Sequence, residues 1–243
     1  MPNVGATSLG AMKLAAQQRA DMQNSAFISD SEWTAMVNSS CQALYEKMVE
    51  AYGNDYWVQT PYSITTDGTN YQYALPTDFF KLLGVDLKLA QANTQGTGWI
   101  TIWRYNFAQR NQYTLPNIQT LWGRTNLKYR LIGSNLSFIP TPAANQTLQL
   151  WYAPRFVPLV NAGDSFDAIN GWEEWVINHA AMKARVKEES PVDGLQILLA
   201  IEEERLNHVA ENRDASSPAV TVDVYRVNGW GESGSDFGGE WSP

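Results

Sequence analysis

The sequence predicts an α+β protein: an antiparallel helical bundle from N- and C-terminal helices, with an inserted β domain and an extended C-terminal tail. Three observations carry this expectation. Apolar residues recur at steps of three and four near both ends of the 243-residue chain. The middle shows alternation, aromatic and β-branched residues and turn dipeptides instead. A Gly/Ser-rich stretch with spaced aromatics follows Pro218. Terminal helices that flank a β segment bury their apolar stripes most simply against one another. The bounds therefore fall at 1–56 for the N-terminal helices of the bundle, 57–160 for the inserted β domain, 161–214 for the C-terminal helices and 215–243 for the tail.

Thr7 to Met22 reads as a short amphipathic helix, with Leu9, Met12, Ala16 and Ala20 on one stripe. Ser29 and Glu32 have the spacing of a capping box. Trp33, Met36, Val37, Leu44, Met48 and Tyr52 then keep helical spacing until Gly53 offers a stop. Cys41 lies on or beside that stripe, where a thiol packs as a small hydrophobe.

From Trp57 to Pro158 about five or six strands are expected. Tyr71–Leu75 and Val85–Leu89 are two of them. Trp99–Phe107 alternates as a single strand, with Trp99, Thr101, Trp103, Tyr105 and Phe107 on one face and Ile100, Ile102, Arg104 and Asn106 on the other. Leu127–Ile132 and Leu136–Ile139 flank Gly133-Ser134-Asn135, a tight-hairpin signal. Leu148–Tyr152 completes the set.

Helices then return. Asn170 with Glu173 repeats the capping pattern, and Asp167 with Glu173-Glu174 suits a helix N-terminus. Trp172, Trp175, Val176, His179, Ala180 and Val186 follow at helical spacing. Ser190-Pro191 ends this helix and starts the next. The stripe Leu195, Leu198, Leu199, Leu206 and Val209 carries that last helix to about Arg213, a rod of about 35 Å.

Composition excludes several function classes. Seventeen Lys and Arg against 25 Asp and Glu give a net charge of -8, the wrong sign for a protein that grips nucleic acid by counterion release. One cysteine and two histidines leave no material for a disulfide scaffold or a Cys/His zinc site, and no metal or cofactor is expected. The first thirty residues hold no unbroken apolar stretch of signal-peptide length, so export by the usual route is not expected. No run approaches the 18 or so apolar residues of a membrane span, so no membrane partner is expected either.

The material for catalysis is thin. His179 falls on an apolar stripe and His208 near the end of the last helix, and no partner that would orient either as a base can be picked out. Glu173-Glu174 and Glu202-Glu203-Glu204 are adjacent positions that diverge by about 100 degrees on a helix, so they suit solvated or intersubunit faces better than a converging acid pair. Ten Trp and eleven Tyr allow a tail or surface module that stacks on carbohydrate, and a hydrolase with an unrecognised carboxylate pair is a weaker rival. Packing and interface contacts explain Trp172, Trp175, Trp99 and Trp103 more simply.

Four phrases, taken together, carry a family resemblance: Asn24-Ser25-Ala26-Phe27-Ile28-Ser29-Asp30-Ser31-Glu32, the stretch Leu75-Pro76-Thr77-Asp78-Phe79-Phe80-Lys81-Leu82-Leu83-Gly84-Val85-Asp86, Tyr129-Arg130-Leu131-Ile132-Gly133, and Ala210-Glu211-Asn212-Arg213-Asp214. In this order along the chain they resemble the head-to-tail connector, or adaptor, proteins of tailed bacteriophages. The resemblance implies a structural virion protein of the neck, made in the host bacterial cytoplasm. It implies a homo-oligomeric ring, usually a dodecamer, docked under the portal protein and joined to a tail or nozzle protein. Double-stranded DNA would pass through without specific binding, and the chain's acidity would keep phosphate from sticking to the wall. The resemblance brings no catalytic residues with it. Mixed charges at Lys183–Glu189 and Glu202–Arg205 would suit subunit contacts in a closed ring.

The tail is the expected portal-binding segment. Val220, Val222, Val224 and Val227, with Tyr225 among them, alternate as a strand that could add to a partner's sheet edge, and Trp230, Phe237 and Trp241 would serve as anchors. Extended, the residues from Gly229 to Pro243 could reach about 50 Å.

Overall fold

Both N-terminal helices begin where the capping residues stand. The computed structural model describes residues 7–23, 25–53, 60–88, 98–113, 127–165 and 172–211. Helix α1 spans Leu9–Ala20; the Ser8 hydroxyl accepts the amide of Ala11 at 3.3 Å, and Asp21 closes the helix in a left-handed conformation at φ 62°. Its buried residues are Leu9, Met12, Ala16 and Ala20, the stripe read from the sequence. Helix α2 spans Asp30–Ala51 behind a complete capping box, in which Ser29 accepts from the Glu32 amide and the Glu32 carboxylate accepts from the Ser29 amide. That reciprocal pair satisfies two amides that a helix start leaves without partners.

Eight strands follow among the described residues: β1 Tyr62–Thr65, β2 Gln72–Ala74, β3 Phe79–Lys88, β4 Trp99–Thr101, β5 Trp103–Arg104, β6 Lys128–Ile132, β7 Asn135–Ile139 and β8 Thr147–Pro154. They form two four-stranded sheets, ordered β1-β8-β3-β4 and β2-β7-β6-β5. The Gly133-Ser134 hairpin is present: Ile132 pairs with Asn135, and Gly133 takes a φ of +58° that only glycine adopts without strain. Ile64, Val85, Leu87, Leu148 and Leu150 of the first sheet meet Leu136 and Phe138 of the second in one apolar cluster. Inward positions two apart on each strand supply that core.

The sequence reading needs correction in several places. Trp99–Phe107 is not one strand: β4 pairs with β3 in the first sheet and β5 with β6 in the second, so the chain changes sheets at Ile102. The bend breaks the alternation. Ile102 and Tyr105, three apart, are both buried, whereas Trp103 is 69% exposed and Phe107 begins a 3-10 helix, Phe107–Tyr113. β1 and the first half of β3 are not among the expected strands; in Phe79–Gly84 the apolar residues come in adjacent pairs, Phe79-Phe80 and Leu82-Leu83 around Lys81, and the register shifts twice, so clean alternation is absent.

Helix α3, Glu173–Lys187, starts after Trp172, whose side chain makes no cap hydrogen bond; the Asn170 expected to open it lies outside the described residues. Helix α4, Asp193–Glu211, begins two residues after Pro191 and has 19 residues, about 28 Å, not 35. Val186 and Leu198, read as stripe residues, are exposed. Trp57, Leu89, Asp167, Asn170, Arg213 and the whole of 215–243 lie outside the described residues.

The four helices share a second apolar cluster around Trp33, Leu44, Met48, Trp172, Trp175 and Val176, and Cys41 is fully buried within it. Successive contacts step up α2 and down α3: Glu32 with Lys187 at 2.6 Å, then Ser39 with Lys183 at 2.8 Å. Arg19 of α1 donates to Glu174 and Asn178 of α3, and Lys47 of α2 pairs with Glu203 of α4 at 3.0 Å.

Helices and sheets meet at the exit from β8. The Tyr45 hydroxyl donates to the Pro154 carbonyl, and the Lys81 ammonium donates to the Val49 carbonyl at 3.2 Å. The Asn38 amide grips the Leu159 backbone both ways, donating to its carbonyl at 2.9 Å and accepting its N–H at 2.8 Å. A side-chain amide that mimics a backbone partner satisfies both polar groups of a buried residue.

Candidate functional site

The eight residues expected to hold the portal, Val220, Val222, Val224, Tyr225, Val227, Trp230, Phe237 and Trp241, lie outside the described residues. The described surface presents three other features.

The first is a groove of about 360 Å³ where α2, α3 and α4 converge, lined by Trp175, His179 and Met182 of α3, Lys47 of α2, and Leu199 and Glu203 of α4. A second hollow of about 260 Å³ adjoins it across the Lys47–Glu203 pair. His179 is half-buried, with its ring 4.6 Å from that of Trp175. Burial first, and the nearby Lys183 ammonium second, pull its pKa down to about 4. The imidazole is thus neutral at pH 7. Its Nδ1 meets no hydrogen-bond partner among the described residues, so no carboxylate or carbonyl orients it as a base. His208 is exposed near the end of α4.

The glutamate runs diverge, as adjacent helix positions must. Glu202 turns toward α3 and accepts from Asn178 at 3.3 Å, Glu203 turns toward α2, and Glu204 faces solvent. Burial raises the pKa of Glu202. Trp172 and Trp175 are packed inside the helical cluster, where an indole face has no room for a sugar. Among the described residues no group of three or more His, Cys, Asp or Glu could hold a metal ion. No helix among them is long and apolar enough to cross a membrane.

The second feature is the outward side of α4. Ile197, Leu198 and Ile201 are 63%, 46% and 58% exposed, opposite the buried Leu199 and Leu206. Asp193, Ile197, Ile201 and Glu204 fall at steps of four, four and three, so exposed acids stand toward both ends of this apolar stripe, while Arg205, on its Leu198 flank, lays its guanidinium 5.0 Å over the Trp172 ring. Helical periodicity in the sequence had assigned Leu198 to the core.

The third lies on the β5–β6 edge of the second sheet. Trp103 stands opposite Lys128 in register, and Arg130, two residues on, shares the Lys128 face. The guanidinium carbons of Arg110 and Arg130 lie 4.8 and 5.4 Å from the Phe107 ring centre. The ion pairs found among the described residues join helices, and none involves Arg110, Lys128 or Arg130. A signal for this patch stood in the sequence: no Asp or Glu occurs between Asp86 and Asp164. Residues 57–160 hold eight Lys and Arg against three acids, a net +5, which leaves -13 on the rest of a chain totalling -8. The overall charge had concealed this partition.

A family model described as SU10 adaptor protein matches residues 7–222, a span that takes in both helical segments and the β segment. No curated protein matches the chain.

Proposed function

The chain belongs to the SU10 adaptor protein family, a family of phage structural adaptors, and from that premise we propose that it is the head-to-tail connector of a tailed bacteriophage. In this reading it docks under the portal as a closed ring of twelve copies and binds a tail or nozzle protein on the far side. The ring forms part of the conduit for DNA in the neck of the virion. The observation that carries the proposal is the length of the family match, which covers the helices and the β segment alike.

The architecture supports it. The four described helices share one apolar cluster and the strands another; in this reading residues 1–56 and 161–214 make the bundle of the ring body, residues 57–160 the insert, and residues 215–243 would reach the portal. In this reading the role is structural; among the described residues, neutral, packed His179 and the diverging glutamates offer no acid–base pair. A ring on a cyclic portal must use head-to-tail contacts that close. Imaging of assembled particles at the neck tests this directly. The expected result is a ring of twelve copies between portal and tail; a single copy, or density for this chain elsewhere in the particle, overturns the proposal.

A further inference from the structure

The geometry points to a specific subunit interface: the basic aromatic patch of one copy, Trp103, Phe107, Arg110, Lys128 and Arg130, docks on the acidic and apolar outer face of α4 in the next copy. This inference rests on the ring reading and names the two faces that build it. Each face is incomplete by itself. Arg110 and Arg130 share one phenyl ring with no carboxylate beside them in the described structure, on a segment whose three acids are bonded to neutral groups. Asp67 accepts from Asn70 and Tyr73, Asp78 from Tyr152, and Asp86 from Thr101 and Trp151.

On the other face, Ile197, Leu198 and Ile201 stand in water between Asp193 and Glu204. Apolar side chains with acids meet apolar side chains with bases, so both desolvation and charge favour the match. Trp and Arg are the residue types that dominate binding energy at interfaces. Complementary sign steers the encounter and rejects the reversed pairing of like faces. Within one chain α4 packs on α2 and α3 while β5 packs on β6, so the two faces belong to different parts of the fold. Two different faces make a heterologous contact, which propagates around a ring.

The test uses full-length chains carrying one exposed cysteine each beside the two faces, Ala108→Cys or Ala200→Cys, which leaves Trp103 and Ile201 in place. Native Cys41 stays silent, because it is fully buried and burial pushes its thiol up to about 12. A short bismaleimide treatment of the concentrated mixture should give heterodimer at least fivefold above either variant alone, and raised salt should lower that yield. Adding Arg110→Glu to the first chain should cut the yield, and Glu204→Arg in the second should restore it. All these side chains are exposed, so each variant should melt with the wild type, which separates lost docking from lost folding. Equal yields in mixed and single samples overturn the assignment. So does binding of a DNA duplex that Arg110→Glu abolishes when no heterodimer forms, which would make nucleic acid the partner. Particles with an intact ring cross-linked through other residues overturn this interface and leave the connector reading standing; necks without a ring overturn the connector reading itself.

Discussion

His179 shows how a single residue can carry a catalytic residue type and yet serve packing. Its folded pKa of about 4 lies below the ordinary 6.5, because burial and Lys183 both disfavour the cation. The unfolded chain therefore takes up the proton first as pH falls. The stability this group contributes is full above pH 6.5 and is lost between 6.5 and 4. His179→Ala should flatten the stability profile in that window and, by removing a ring packed on Trp175, cost about 1–3 kcal/mol; denaturant melts at several pH values read both. Neck assembly and infectivity should survive apart from the folding loss. Particles that assemble normally but fail to infect would reveal an active role for the imidazole.

At the scale of elements, the joint between helices and sheets depends on few groups. Asn38 of α2 satisfies both polar groups of Leu159, beyond the end of β8, and Leu159 itself packs into the helical cluster. Asn38→Ala leaves a buried N–H and C=O without that partner and should cost about 1–3 kcal/mol, measured by urea unfolding of the full chain. No loss would mean that water replaces the amide. The Ser29–Glu32 box was legible because capping is local, a matter of residues three apart. The sheet change at Ile102 was not, since it depends on β3 and β6, strands whose positions no local pattern encodes.

For the whole molecule, attachment to the portal should reside in the tail. Deleting everything after Pro218 should leave a folded, soluble chain, because the described residues, all before that point, already assemble two apolar clusters. The truncated chain should no longer decorate portals in a binding assay with portal rings. Full decoration by a folded truncation would remove the tail from this role. The -8 net charge also takes a new meaning at this scale. It is an average over a basic β segment at +5 and an acidic remainder at -13, so residues 57–160 and the rest of the chain carry opposite signs.

The amino-acid sequence by itself determined the α+β class, the helix start at Ser29, the α1 and α2 stripes and the Gly133-Ser134 hairpin, all features set by residues within a few positions of one another. Tertiary structure alone decided which apolar residues are covered. Leu198 and Leu199 are neighbours with the same side chain, yet Leu199 faces the other helices and Leu198 faces out. It likewise decided that Trp103 leaves the core when the chain crosses between sheets, and that Arg110 and Arg130 gather around Phe107. Periodicity gives an element its faces, but burial depends on what packs against each face, and that is set by segments far away in the chain.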